Sequence, residues 1–164
     1  MSDVLAQAAS EVQVIADYGL RLFVATILGA VIGFDRELRN RPAGLRTHMI
    51  MSLAAGLFTI LTLELHAQVS RQTGGSDPIR IIEAITVGVS FLAAGTIIQS
   101  GRNVQGLTTG AGMWLAGAVG LACGLERYGL AVLGSALALF ILAVLIPLES
   151  WIARVPRSKD PAES

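Results

Sequence analysis

Residues 18–48 read YGLRLFVATILGAVIGFDRELRNRPAGLRTH, and this stretch decides the fold. Residues 18–34 carry a single charge, Arg21, in an otherwise apolar run. As a helix rising 1.5 Å per residue, the run spans about 25 Å, close to the ~30 Å hydrocarbon core of a bilayer. Lipid offers no partner to backbone N–H and C=O groups, so such a run must bond to itself as a helix. The stretch then turns polar. Arg36, Arg39, Arg41 and Arg46 crowd into a short polar link that ends in Gly44-Leu45-Arg46-Thr47. The apolar character resumes at Thr47.

Working outward, four more apolar segments follow, at residues 47–65, 81–98, 107–124 and 128–148. The links between them, 35–46, 66–80, 99–106 and 125–127, are short and polar, and the second contains the breaker GGSDP at 74–78. The expected fold class is all-α, a polytopic membrane helix bundle of about five transmembrane helices. Residues 1–17 form an N-terminal periplasmic segment, 18–148 the membrane domain, and 149–164 a cytoplasmic tail. Composition agrees. The chain is 53% hydrophobic and 15% charged, with a mean hydropathy of +0.65. An ordinary soluble domain is about 45–50% apolar and about 25% charged. The 18 glycines fall mostly inside apolar stretches, where small residues let helix backbones approach.

Residues 1–17 carry Asp3, Glu11 and Asp17 and no Lys or Arg, so a cleavable signal peptide is not expected. Leu5, Ala8, Val12 and Ile15 share one helical face, which suits either a short interfacial helix or a frayed terminus. Lys and Arg placement sets the orientation. Arg36, Arg39, Arg41, Arg46, Arg102, Arg154, Arg157 and Lys159 fall on one side, against Arg21, Arg71, Arg80 and Arg127 on the other. The expected topology is multi-pass in a bacterial inner membrane, N-terminus outside and C-terminus cytoplasmic. Tyr18, Tyr128 and Trp151 lie where an interfacial aromatic belt belongs.

Two turns share a pattern. Gly44-Leu45-Arg46-Thr47 matches Gly106-Leu107-Thr108-Thr109 at an offset of 62. The same offset pairs Gly33 with Gly95, Met51 with Met113, Leu53 with Leu115 and Ala54 with Ala116. Each half reads as helix, turn and return helix in one orientation, a parallel repeat of hairpins. The repeat places both turns near each other at one membrane face, with Thr47 and Thr109 as candidate helix caps.

At these residues the chain resembles the MgtC/SapB family of bacterial inner-membrane proteins. The resemblance rests on residues 33–37 (GFDRE), 43–48 (AGLRTH), 90–95 (SFLAAG) and 104–109 (VQGLTT), followed by Trp114, and covers about residues 20–145. Ala93 stands where Gly is usual, and Gly110-Ala111-Gly112 where Ala-rich sequence is usual. The resemblance implies a membrane domain of about five helices and a role in growth or survival at low Mg²⁺. For some members it implies a part in virulence and modulation of the ATP synthase, which would make a membrane complex such as that enzyme a partner. Many members carry a C-terminal cytoplasmic domain, and this chain is expected to end before one.

The candidate functional cluster comprises Asp35, Arg36, Glu37, Gly44, Arg46, Thr47 and His48, joined by Asn103, Gly106 and Thr109 from the second turn. Charges at membrane depth cost about 2.5–3.5 kcal/mol each, so they tend to be paired or hydrated. Asp35 with Arg46 is the expected pair across the hairpin. The alternative is a solvated loop that only sets topology. His48 reads as an interfacial polar side chain rather than a metal ligand. No metal centre stands out. Glu64 and Glu83, which end the second segment and begin the third, are weak candidates for loose Mg²⁺ binding. Asp17–Arg21 and Arg80–Glu83 are expected as local pairs. Gly29, Gly33, Gly95, Gly120 and Gly124 are expected at helix-packing surfaces, within one chain or in a homo-oligomer.

Zero formal net charge points to no nucleic-acid partner. The lone Cys123 precludes a multi-cysteine zinc site in one chain. There is no grouping of Ser, His and Asp and no phosphate loop, so neither an enzyme nor a cofactor is expected. No carboxylate lies at mid-bilayer depth in any segment, which argues against a cation path through one subunit. The expected function is therefore a regulatory or interaction protein of the inner membrane linked to low Mg²⁺ or stress. The alternative is a small oligomeric transporter or channel for Mg²⁺ or another ion.

Overall fold

The computed structural model describes residues 1–73, 79–100 and 103–152. The breaker at 74–78, Arg102 and the basic residues of the tail lie outside them. In chain order the elements are α1 (Ser2–Leu38), α2 (Leu45–Thr73), α3 (Ile79–Ala94), β1 (Ile98–Ser100), β2 (Asn103–Gln105), α4 (Leu107–Gly124) and α5 (Tyr128–Ile152). The stretches Val4–Leu38, Leu45–Val69 and Leu107–Gly124 are long and apolar enough to cross a membrane. Ile82–Ala94 and Tyr128–Val144 are shorter apolar helices.

Several boundaries differ from the sequence expectation; α2 continues past 65 to Thr73, through residues expected as a link, and α5 continues past 148 to Ile152. No Gly or Pro interrupts residues 2–17, and α1 runs through them without a break. It is 37 residues long, about 56 Å. The third segment stops at Ala94 instead of 98. There the N–H groups of Thr96 and Ile97 close onto Ala93 and Ala94 at 3.1 and 3.0 Å. The chain then forms a small antiparallel hairpin, with Ile98 opposite Gln105 and Ser100 opposite Asn103, where the sequence suggested only a connector.

Glycine contacts fix the packing directions. A Cβ on Gly29 would lie 2.6 Å from the His48 carbonyl oxygen, and one on Gly33 2.8 Å from Leu45 Cα. Toward the far end, Ser52 Oγ donates to Ala25 O at 2.7 Å. As one partner's number rises the other's falls, so α1 and α2 are antiparallel. Gly110 faces Ala93 and Gly117 faces Val89, so α3 and α4 are antiparallel as well. Between hairpins the sense changes. Gly112 meets His48, Gly120 meets Ser52, and Gly124 meets Thr59, so α2 and α4 run parallel. The two hairpins are thus a parallel repeat, and residues near the 62-residue offset lie side by side.

The core follows from this arrangement. Ala25, Ile32, Val119, Cys123 and Ala131 pack between α1, α4 and α5. Met51, Val89, Ala93, Met113 and Ala116 pack between α2, α3 and α4. Phe23, Phe34, Phe58, Leu137 and Phe140 point outward, the distribution expected where lipid is the solvent. The buried hydroxyls of Thr59 and Ser135 donate to carbonyls one turn back, Ala55 and Ala131. Gly95 departs from its expected role. It lies just past α3 and meets only carbonyls of that helix.

Candidate functional site

The site assembles where α1 ends. Residues 39–44 reverse the chain within six positions, which forces Asn40 and Ala43 to φ of 51° and 53°. Positive φ is costly for alanine. The turn is held by Arg36, which is buried although it stands at the close of an apolar helix. Its Nε–H donates to Ala43 O at 3.1 Å and its Nη2 to Pro42 O at 3.0 Å. Nη2 also donates to Thr109 Oγ1, and Nη1 reaches Thr108 O at 3.5 Å. One guanidinium therefore ties the first turn to the first turn of α4. The rigid fork of an arginine suits this; a lysine ammonium on a flexible stem does not.

Glu37 has a different task. Its Oε2 accepts from Leu45 N at 3.0 Å. A carboxylate here satisfies an orphan amide of α2 and complements the positive end of its dipole. The capping role expected of Thr47 thus falls to a residue of the preceding helix. In α4 the N-cap is Gly106, at φ 87°, without a side-chain cap. A Cβ at Gly106 would strike Thr96 O, so only glycine fits there. Thr109 lies two residues inside α4 and accepts from Arg36 instead of capping.

His48 sits one turn into α2 and is fully buried, not interfacial. Three glycines make its socket: Gly29 and Gly33 on α1, and Gly112 on α4, where a Cβ would come within 3.1 Å of Nε2. Nδ1 lies 2.9 Å from Gly44 O. A carbonyl only accepts, so Nδ1 carries the proton, and in the neutral ring Nε2 keeps a bare lone pair. Among the described residues Nε2 has no hydrogen-bond partner.

The expected Asp35–Arg46 pair does not form. Asp35 instead takes Arg39, one turn on, with Oδ1 2.9 Å from Nε. The reason is geometric: on a helix the i, i+4 partner is already adjacent. Arg46 is exposed, and Thr47 half-buried, without partners among the described residues. Asn103 is exposed in β2 and makes no side-chain contact with Arg36 among the described residues. The structure thus brings Arg36, Glu37, Gly44, His48, Gly106 and Thr109 into or beside one cluster and leaves Arg46 and Asn103 at its rim.

At the opposite end Arg21 pairs with Asp17, as expected, and also with Glu126 in the α4–α5 turn, and its Nη1 reaches Gly124 O at 3.3 Å. Glu126 adopts φ 60°, and this ion pair bears on a strained residue. Glu64 accepts from Tyr18 Oη. Glu83 is exposed, and neither the Glu64–Glu83 pair nor Arg80–Glu83 is seen among the described residues. No group of three His, Cys, Asp or Glu suited to a metal occurs among them. Sequence reasoning missed Glu126 and the carbonyls of Pro42, Ala43 and Thr108. Carbonyl acceptors leave no trace in residue type, but an arginine at the inner edge of an apolar helix was a usable signal.

The MgtC family model matches residues 22–151, most of the chain and all of this cluster. The chain belongs to the MgtC family. This MgtC-family chain is 38% identical over 130 residues to the putative magnesium transporter YhiD of Escherichia coli, covering 79% of the chain and 60% of that protein. It is 37% identical over 124 residues to protein MgtC of Brucella abortus, covering 76% and 49%. It is 35% identical over 147 residues to protein MgtC of Salmonella paratyphi A, covering 90% and 59%. The chain thus spans about half to three-fifths of the length of these curated relatives. No solved structure matches it.

Proposed function

We propose that this MgtC-family chain is an inner-membrane regulatory or interaction protein of Mg²⁺ homeostasis, and that one copy is not itself a cation conduit. One observation carries this reading: the α1–α2–α4 interior is closed and holds no acid among the described residues. Backbones meet directly at Gly29, Gly33, Gly120 and Gly124. The buried polar residues described are Arg36, His48, Ser52, Thr59, Thr109 and Ser135, none of them acidic. A cation path needs carbonyls or carboxylates aimed at the ion. Among the described residues the buried serine and threonine hydroxyls bond internally, and the one buried charge, Arg36, is positive.

The partner-facing surface in this reading is the rim of the Arg36 cluster, with Arg39, Arg41, Arg46 and Asn103 exposed. The arginine excess supports a cytoplasmic rim with the N-terminus outside. A cysteine at position 39 labelled from the periplasm of intact cells would reverse that orientation. By family resemblance, a membrane complex such as the ATP synthase is the class of partner to test.

The second reading is a small oligomeric Mg²⁺ transporter. It is favoured by the name of the YhiD relative and by a cleft of about 920 Å³ between α2 and α3. Flux separates the two. Pure protein in proteoliposomes should move Mg²⁺ no faster than empty vesicles, and robust uptake would overturn the regulatory reading. Co-purification of a membrane complex that is lost in Arg46→Ala, with expression unchanged, would support it.

A further inference from the structure

Helices α2 and α3 both lean on α4 but separate from each other, and the cleft between them follows α2 from Met51 to Val69. Met51, Ala55, Phe58, Ile85 and Val89 make apolar walls. Phe58, Leu65, Gly88 and Leu92 are exposed, so the cleft opens sideways toward the surrounding bilayer. Polarity is confined to one end. Arg80, in the first turn of α3, lies across from His66 and Thr62 on α2. The nearby carboxylates Glu64 and Glu83 are not in the lining, and Glu64 is engaged by Tyr18.

Length and charge decide the class of occupant. The stretch from Met51 to His66 is about 22 Å long, more than one leaflet of a ~30 Å hydrocarbon core, so an extended acyl chain can lie along it. The charged group at its polar end is the Arg80 guanidinium, which a phosphate complements and the apolar face of a membrane helix does not. Gly88 adds a second sign. A Cβ built there meets nothing within 4 Å, so the absent side chain leaves space that neither α2 nor α4 fills.

We propose that the α2–α3 cleft is a binding site for an anionic phospholipid, its acyl chain along Met51–Leu65 and its phosphate at Arg80. The open side admits a chain from the bilayer without passage through water. The cationic end selects a negative headgroup over a zwitterionic one.

Native mass spectrometry of the full chain, released from nanodiscs of equal phosphatidylglycerol and phosphatidylcholine, tests this. The wild-type protein should retain one lipid, with about a fivefold preference for phosphatidylglycerol, the effect of one basic side chain near a membrane surface. Gly88→Leu projects a side chain from the cleft wall, where a Cβ meets nothing within 4 Å, and should abolish retention while thermal unfolding and circular dichroism stay unchanged. Arg80→Gln should still retain a lipid but lose the preference. Undiminished retention in Gly88→Leu, or an unchanged preference in Arg80→Gln, would overturn the proposal. So would a wild-type dimer without lipid that Gly88→Leu dissociates, because a second copy would then fill the cleft.

Discussion

The guanidinium of Arg36 on α1 donates to the hydroxyl of Thr109 on α4, 73 residues further along the chain. The same guanidinium holds two carbonyls of the turn that follows α1. The repeat is broken here. Position 98, which the 62-residue offset sets against Arg36, is isoleucine, so the molecule has one such clamp and not two.

Removing the clamp should cost more than removing a surface arginine. In Arg36→Met the carbonyls of Pro42 and Ala43 lose their donor, and a hydrogen bond to a charged group contributes about 1.5–3 kcal/mol. Arg36→Lys should fail to rescue, because an ammonium cannot serve both carbonyls and Thr109 at once. Thermal unfolding in detergent reads the difference. A lysine variant as stable as the parent would contradict this account of the turn.

Thr109→Val keeps the shape and deletes the acceptor. It should lower stability by about 1–3 kcal/mol, and Thr109→Ser should recover most of it. Thr47→Val, at the matching position of the other hairpin, should shift stability by less than ~0.5 kcal/mol. Equal effects at 47 and 109 would mean that the repeat is functionally symmetric here.

Glycine substitutions should split into two groups. Gly120→Ala drives a Cβ into the Ser52 backbone, and Gly124→Ala places one 2.6 Å from Thr59 Cβ. Both should separate α2 from α4 and destabilise by about 1–3 kcal/mol or more. Gly129 and Gly134 face open space, where alanine should be neutral or stabilise by up to ~1 kcal/mol through helix propensity. A parallel set of melting curves distinguishes the groups.

Glu37→Gln retains an acceptor oxygen for Leu45 N but loses the charge at the start of α2. The expected cost is about 0.3–1 kcal/mol, rising to about 2 kcal/mol in Glu37→Ala. Amide exchange in the first turn of α2 should speed up in the same order. No change at Leu45 would show that water serves that amide equally well.

The tautomer of His48 follows from its contact with Gly44 O. Nitrogen-15 spectra of the protein in bilayers should show a protonated Nδ1 and a bare Nε2 at neutral pH. A proton on Nε2 with Nδ1 bare would require a different acceptor arrangement in the socket.

Much of this was legible in residue order. The apolar runs and the short polar links between them gave the helices. The shared Gly-Leu-x-Thr turns gave the parallel hairpins that Ser52–Gly120 and Thr59–Gly124 bear out. Local charge pairing at i, i+4 gave Asp17–Arg21. The remainder depends on distance in space. Asp35 faces both Arg39 and Arg46 in sequence, and only backbone geometry chooses Arg39. The burial of His48 depends on three glycines from two other helices. The hairpin at 98–105 is too short for a two-residue alternation to stand out.

The reach of Arg36 across the chain also sets a schedule for assembly. A ribosome adding ~5–20 residues per second needs roughly 4–15 s to get from position 36 to position 109. Through that interval the nascent hairpin sits in the bilayer with its guanidinium only partly bonded. The clamp therefore closes only once α4 has been made, and the first turn waits on the second hairpin for the last of its hydrogen bonds.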